Sequence, residues 1–448
     1  MRVFLVRVQI PPSAQTFGVL MKNFLFIIIA ISLVFCTAYE DAKLHFENKD
    51  YDQALVLLQS EIDAKSANAK AYALASKVAA KLDDLDNANA YILEAIESDP
   101  ANKEYREYQK ELELLKNGLK DAKKTFDSGY HEEALSDYDK LAESFSDNAM
   151  IQYTKGLVLK QMGNLDAAVQ HYKKAISLNP FEEKYEKAIK VVAQTLAKNG
   201  DEEFRRKEYD AALTYYHQAV SYYSNFKDGT FRLAKTYFSV KDFENAKKWC
   251  EETIRLDTVH VQAIKMLGDT YKRSGNIDKA IELYSQAVEI NANYDRAYYS
   301  LGVALKDVGR YDESVQALNK ALLVNPSYTK AYETLGVVYQ EKNDFDNAVF
   351  NYSKAIDTDG KAYKVHSRLA SVYNTQEKYE DARTSAKACL RIKGNYAAAM
   401  CELGIAEMNM CNKVAAEDAF TKAKKDRNYR KFASDYLKNL NYYTRDCN

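Results

Sequence analysis

Arg296, Lys330 and Lys364 stand at intervals of 34 residues in a chain of 448. Cationic groups repeated at one interval could hold carboxylates along a line, provided the fold brings equal intervals into register. Phe231 and Tyr299 differ by 68, Val303 and Val337 by 34, and Phe238 lies seven beyond Phe231. These five could supply apolar anchors beside the charges. Binding, rather than bond-making, is the chemistry such a pattern suits.

Catalytic and metal chemistry find no comparable arrangement. His45, His131, His171, His217, His260 and His366 are scattered along the chain. None joins a second metal-ligand type at helical spacing in a cluster, so surface or packing roles are expected of them. Of the cysteines, Cys250 and Cys389 fall at apolar positions of the pattern described below, and no CxxC pair is present. Cys389 with Cys401, or Cys411 with Cys447, could pair in an oxidising compartment. No phosphate-binding GxxxxGK[ST], no GxGxxG after a strand, no GxSxG elbow and no HExxH occurs. No cofactor, metal or catalytic residue is therefore expected.

Composition says what must position the charged row. Glycine (15) and proline (5) are too sparse to punctuate a large sheet fold. Hydrophobic residues at 47% and charged residues at 28% argue against extensive disorder. With 63 basic and 64 acidic residues the formal charge is −1, which leaves no excess to condense on nucleic acid. An almost entirely helical chain is expected.

Periodicity gives the helices their arrangement. A marker position is occupied by Ala54, Ala88, Ala134, Ala168, Ala212, Ala246, Ala280, Ser314, Ala348, Ala382 and Ala416. Its spacings are 34, 46, 34 and 44, then 34 six times. Around Ala280 stand Leu267-Gly268, Tyr271, Tyr284 and Ala287. Leu301-Gly302, Leu305, Leu318, Ala321 and Pro326 repeat this, as do Leu335-Gly336, Tyr339, Tyr352 and Ala355. The pattern resembles the tetratricopeptide repeat (TPR) family, in about eleven copies over about 390 residues. That resemblance implies an all-α solenoid of helical hairpins, with small residues where the two helices of a hairpin cross. It also implies a concave face lined by positions 2, 5, 9, 12 and 13 of each first helix. Arg296, Lys330 and Lys364 occupy position 2. Position 9 holds Lys235, Asp269, Val303, Val337, Ser371 and Ile405, so the carboxylate clamp of chaperone-binding members, which needs asparagine there, is absent. The asparagine ladder of glycosyltransferase superhelices is absent too. Two insertions, near residues 101–128 and 181–205, read as lengthened first helices, and residues 428–441 as a closing helix.

The N-terminus carries a different signal. Residues 24–35, FLFIIIAISLVF, follow Lys22 and precede Cys36-Thr37-Ala38, a pattern matching a secretory signal peptide cleaved after Ala38. Leu33-Val34-Phe35-Cys36 also resembles a lipoprotein box with Cys36 lipidated, and an uncleaved anchor is the third reading. Residues 1–20 read as an upstream extension before Met21. The expected layout is thus 1–38 extension and signal, 39–180 repeats 1–4, 181–426 repeats 5–11, and 427–448 cap and tail. The expected function is a non-catalytic scaffold of the bacterial cell envelope, exported to the periplasm, that binds a protein or peptide in its concave groove. Expected partners exclude nucleic acid and include the membrane only through the N-terminus. The alternative is a membrane-anchored or lipidated envelope assembly factor.

Overall fold

The computed structural model describes residues 38–445. The expectations placed on residues 1–37, Cys36 among them, and on Cys447 lie outside the described residues. Helix follows helix, and among the described residues no strand forms. The fold is the all-α solenoid type, divided into two compact units.

Unit 1 comprises residues up to Lys198 with Gln218–Ser224. It holds α1 (38–47), α2 (Tyr51–Asp63), α3 (Ala69–Lys81), α4 (Leu85–Ser98), α5 (Lys103–Asp127), α6 (His131–Ser144), α7 (Ala149–Gln161) and α8 (Leu165–Leu178). Two further helices, α9 (Glu183–Arg206) and α10 (Tyr209–Tyr222), contribute to both units. Unit 2 continues through α11 (Lys227–Ser239), α12 (Phe243–Leu256), α13 (Val261–Arg273), α14 (Ile277–Ile290), α15 (Asp295–Asp307) and α16 (Tyr311–Val324). It ends with α17 (Thr329–Glu341), α18 (Phe345–Thr358), α19 (Tyr363–Thr375), α20 (Tyr379–Ile392), α21 (Ala397–Asn409), α22 (Lys413–Ala423) and α23 (Arg430–Tyr443).

Each hairpin is cut from the chain by local chemistry. First helices stop on a residue in the left-handed region, such as Gly275 at φ 87° and Gly163 at φ 82°. A side-chain cap follows: Asn276 accepts from the Lys279 amide, and Asp84, Asn164, Asp242 and Asp344 act likewise on α4, α8, α12 and α18. Pro100, Pro180 and Pro326 lie two residues past the ends of α4, α8 and α16, where a helix cannot continue.

The crossing inside each hairpin is close. A methyl group added to Gly268 would lie 2.7 Å from the ring of Tyr284, and one added to Gly404 would lie 2.7 Å from that of Phe420. Glycine here makes room for a ring from the second helix. Two serines report the same approach with hydrogen bonds. Ser76 donates to the carbonyl of marker Ala88 at 2.5 Å, and the marker Ser314 donates to the carbonyl of Gly302 at 2.7 Å. Rings at the slot four past the marker, Tyr138, Tyr172, Tyr216, Tyr284 and Tyr352, are 2% exposed or less.

Both insertions lie in long first helices: α5 has 25 residues and α9 has 24, against 13 in α13. One boundary between the two units falls at Lys198/Asn199, inside α9. Burial is the reason. Tyr185, early in α9, packs with Ala149 and Ala175 of unit 1, whereas Asp201 binds Tyr216 and Arg232 of unit 2. At the far end α23 covers the last hairpin, with Ala433 and Leu440 packed against Phe420 and Cys401. Its exposed face carries Arg430, Lys431 and Lys438. Cys250, Cys389 and Cys401 are buried and free, so Cys389 and Cys401 do not pair, whereas Cys411 is disulfide-bonded.

Gly268→Ala should lower stability by about 1–3 kcal/mol in denaturant titration of the full chain, through overpacking against Tyr284. The gain of about 1 kcal/mol in helix propensity offsets only part of this. An unchanged midpoint would show that the ring does not fill the slot.

Candidate protein-binding surface

Arg296, Lys330 and Lys364 occupy the second positions of α15, α17 and α19, all exposed. They line one concavity of about 740 Å³ in unit 2. Lys361 joins them, and so do Asp295, Glu333 and Asp359, giving four cations against three carboxylates. The carboxylates are already engaged. Asp295 accepts from the Asn325 amide group at 2.9 Å, Asp359 accepts from the Lys361 backbone at 2.9 Å, and Glu333 lies 3.8 Å from Arg368. Among the described residues none of the four cations forms an ion pair. Tyr328 and Tyr363 add two rings to the wall.

The apolar residues distribute differently. Phe238, Tyr299 and Val303 line a second concavity of about 590 Å³, together with Asp269, Lys272 and Arg273. Tyr299 lies against Tyr328, ring centroids 5.0 Å apart, so one aromatic pair borders both concavities. Phe231 is half-buried against the ring of His260 at 4.9 Å. Val337 is half-buried against the core formed by Tyr352, Val365 and Leu369, and it lines neither concavity. The charged row is thus brought together, and its apolar companions are split between a neighbouring hollow and the core.

Asp269, Lys272 and Tyr284 of the second concavity are engaged by the fold, Lys272 with Asp307 at 2.7 Å. Asp269 takes Lys265 at 2.6 Å and the Tyr284 hydroxyl at 2.8 Å. Asp201 holds the same place in the fifth hairpin, with the Tyr216 hydroxyl at 2.8 Å and Arg232 at 2.9 Å. Burial drives the phenols of Tyr284 and Tyr216 well above the ordinary tyrosine value, and the adjacent carboxylates push the same way.

Lys361, Tyr328 and Tyr363 were not legible as site residues when only positions 2, 5, 9, 12 and 13 of the first helices were read. A signal existed. Aromatic residues recur one position before the first helices, at Phe226, His260, Tyr294, Tyr328 and Tyr396. Unit 1 carries its own hollow of about 440 Å³, walled by Phe46, Lys77, Tyr108, Leu112, Leu115 and Phe145.

His217 and His260 sit in packing and capping roles. His217 contacts the Tyr237 hydroxyl at 2.9 Å and the Trp249 ring at 5.4 Å, and burial holds it below the ordinary imidazole value. His260 caps α13 by accepting from the Ala263 amide at 3.2 Å. Among the described residues no group of three or more His, Cys, Asp or Glu could hold a metal ion, and no helix is long and apolar enough to cross a membrane.

Stacked hairpins with concave hollows define a helical-repeat protein of the interaction-scaffold class. Family models place it further: the TPR repeat matches residues 268–309, and tetratricopeptide repeat models match 69–102, 149–181, 231–260, 295–328 and 329–361. The chain is a tetratricopeptide repeat protein. No curated protein sequence matches it. Among solved structures it is similar to MamA at 27% identity and TM-score 0.35, over 37% of this chain and 96% of that one. It is similar to YrrB, described as a TPR protein with an unusual peptide-binding site, at 17% and 0.37, over 41% and 95%. A tetratricopeptide repeat protein from Parabacteroides merdae is similar at 15% and 0.42, over 56% and 98%.

Structural and surface charges should separate by mutation. Asp269→Ala, which strips Lys265 and Tyr284 of their partner, should cost about 1–3 kcal/mol in denaturant titration. Lys330→Ala should change stability by less than about 0.5 kcal/mol. Equal losses would mean that Lys330 belongs to the fold.

Proposed function

We propose that the protein is a non-catalytic scaffold of the bacterial cell envelope. It binds an acidic protein segment, carrying one or two hydrophobic anchors, on the concave side of unit 2. The observation that carries this reading is the concavity holding Arg296, Lys330, Lys361 and Lys364 without ion-pair partners among the described residues. Cations left unengaged by the fold remain available to a ligand. Their field mainly accelerates encounter, and seating an apolar side chain beside Tyr299, Val303 and Phe238 lengthens residence. Export rests on the sequence alone: Lys22, the apolar run 24–35 and Cys36-Thr37-Ala38. Mature protein from the native host should begin at Tyr39, or at an acylated Cys36, by intact-mass analysis. A mature chain retaining Met21 would favour the anchored assembly factor.

Binding is tested by substituting Arg296, Lys330 and Lys364 with Glu together and measuring affinity for the partner recovered from envelope extracts. Affinity should fall at least tenfold, about 1.4 kcal/mol, and its salt dependence should weaken or reverse. Helicity should not change. Unchanged affinity and salt dependence would place binding elsewhere, on the lengthened helices near 101–128 and 181–205.

A further inference from the structure

In a solenoid each repeat touches its neighbours, so contacts stay short-range in sequence. Unit 1 breaks that rule. Lys184 pairs with the Asp83 carboxylate at 2.7 Å, and the Tyr185 hydroxyl donates to the same carboxylate at 2.9 Å. Asn179 donates to the Lys81 carbonyl at 3.1 Å. Lys49 donates to the Ser177 carbonyl at 2.5 Å, and the Tyr51 hydroxyl to the Leu178 carbonyl at 3.4 Å. The turns after α1 and α3 therefore meet the turn between α8 and α9, about 100 to 128 residues away in sequence.

The Lys49 contact is exposed, whereas the Asp83, Tyr185 and Asn179 groups are enclosed. The Asp83 side chain is 7% exposed, Tyr185 0% and Asn179 2%. Lys184 also reaches Glu182 at 3.5 Å and sits over the Tyr185 ring at 5.2 Å. Lys81, whose carbonyl takes Asn179, sends its own ammonium to Asp147 at 2.8 Å, tying in the turn after α6.

The lengthened α5 accounts for the meeting. Its first half completes the second hairpin, with Leu112 packed among Ala73, Ala80 and Ile92. Its second half opens the third, with Ala122 packed among Ala134, Tyr138 and Val158. Those two positions are ten residues apart, about 15 Å along a helix axis. That step displaces α6, α7 and α8 from where simple stacking would leave them, and carries the α8–α9 turn to the α3–α4 turn.

We propose that unit 1 is a module closed on itself, its α3–α4 turn clasped to the start of α9 by Asp83 with Lys184 and Tyr185, and that release of this clasp is a conformational step open to it. A closed module opens both sides of its seam at once, whereas an open solenoid loosens one turn at a time.

Hydrogen–deuterium exchange of the full chain, read by mass spectrometry, tests this with Asp83→Asn, Lys184→Gln, their combination and Tyr185→Phe. In each single variant, peptides covering 81–84 and 177–185 should both exchange at least tenfold faster. Peptides in α15 to α18 should keep their rates. The double variant should be no faster than the faster single one, because either change releases the same seam. Acceleration confined to the mutated side would overturn the proposal. Should the charge variants lose helicity altogether, Tyr185→Phe decides: it removes one hydroxyl, and it must accelerate 81–84 as well as 177–185. Unaltered exchange at 81–84 in that variant would equally overturn the clasp.

Discussion

Everything in this chain depends on how closely the two helices of a hairpin can cross. At Gly268, Gly302, Gly336 and Gly404 the first helix offers no side chain, and Tyr284, Leu318, Tyr352 and Phe420 of the second helix fill the gap. Glycine weakens an isolated helix, but the large side chain it admits is buried completely and brings its apolar area with it. A lone hairpin still exposes one face. Stacking is thus compulsory, and the 34-residue interval is the sequence record of a spacing repeated in space.

That interval explains why so much of the fold was legible. Marker alanines, the Leu-Gly pairs and the closing prolines lie where the hairpins form, and the charge-rich insertions lie in α5 and α9, the two longest helices among the described residues. Less legible was what those insertions accomplish. The packing of Tyr185, early in α9, back onto Ala149 and Ala175 has no local mark in the sequence. The contacts of Asp83 with Lys184 and Tyr185 were equally hidden, since nothing local marks a pair a hundred residues apart.

The candidate site was legible in part, for the same reason. Residues at one repeat position come into register, so Arg296, Lys330 and Lys364 share a concavity. An equal repeat position does not by itself guarantee a shared surface. Val337 turns toward the core while Val303, at the same position one repeat earlier, lines a hollow. Lys361, in the turn before α19, and Tyr363, the first residue of α19, complete the concavity. Charge, in turn, divides by engagement. Asp269 and Asp201 belong to networks that anchor buried phenols, whereas the cations of the larger concavity have no such duty among the described residues.

Spectrophotometric titration of tyrosine tests the crossing most directly. Burial raises the phenols of Tyr138, Tyr172, Tyr216 and Tyr284 above their ordinary value and that of Tyr352 to about 12. A phenol whose value is higher in the folded chain than in the unfolded one keeps its proton while the unfolded chain releases it. Stability is therefore intact below about pH 10 and falls as pH rises beyond it. Of the 35 tyrosines, a fraction should ionise reversibly near pH 10 with helicity intact. The remainder should ionise only together with loss of the helical signal at higher pH. Ionisation of all of them in one transition near pH 10, with helicity unchanged, would contradict the placement of these rings in the hairpin crossings.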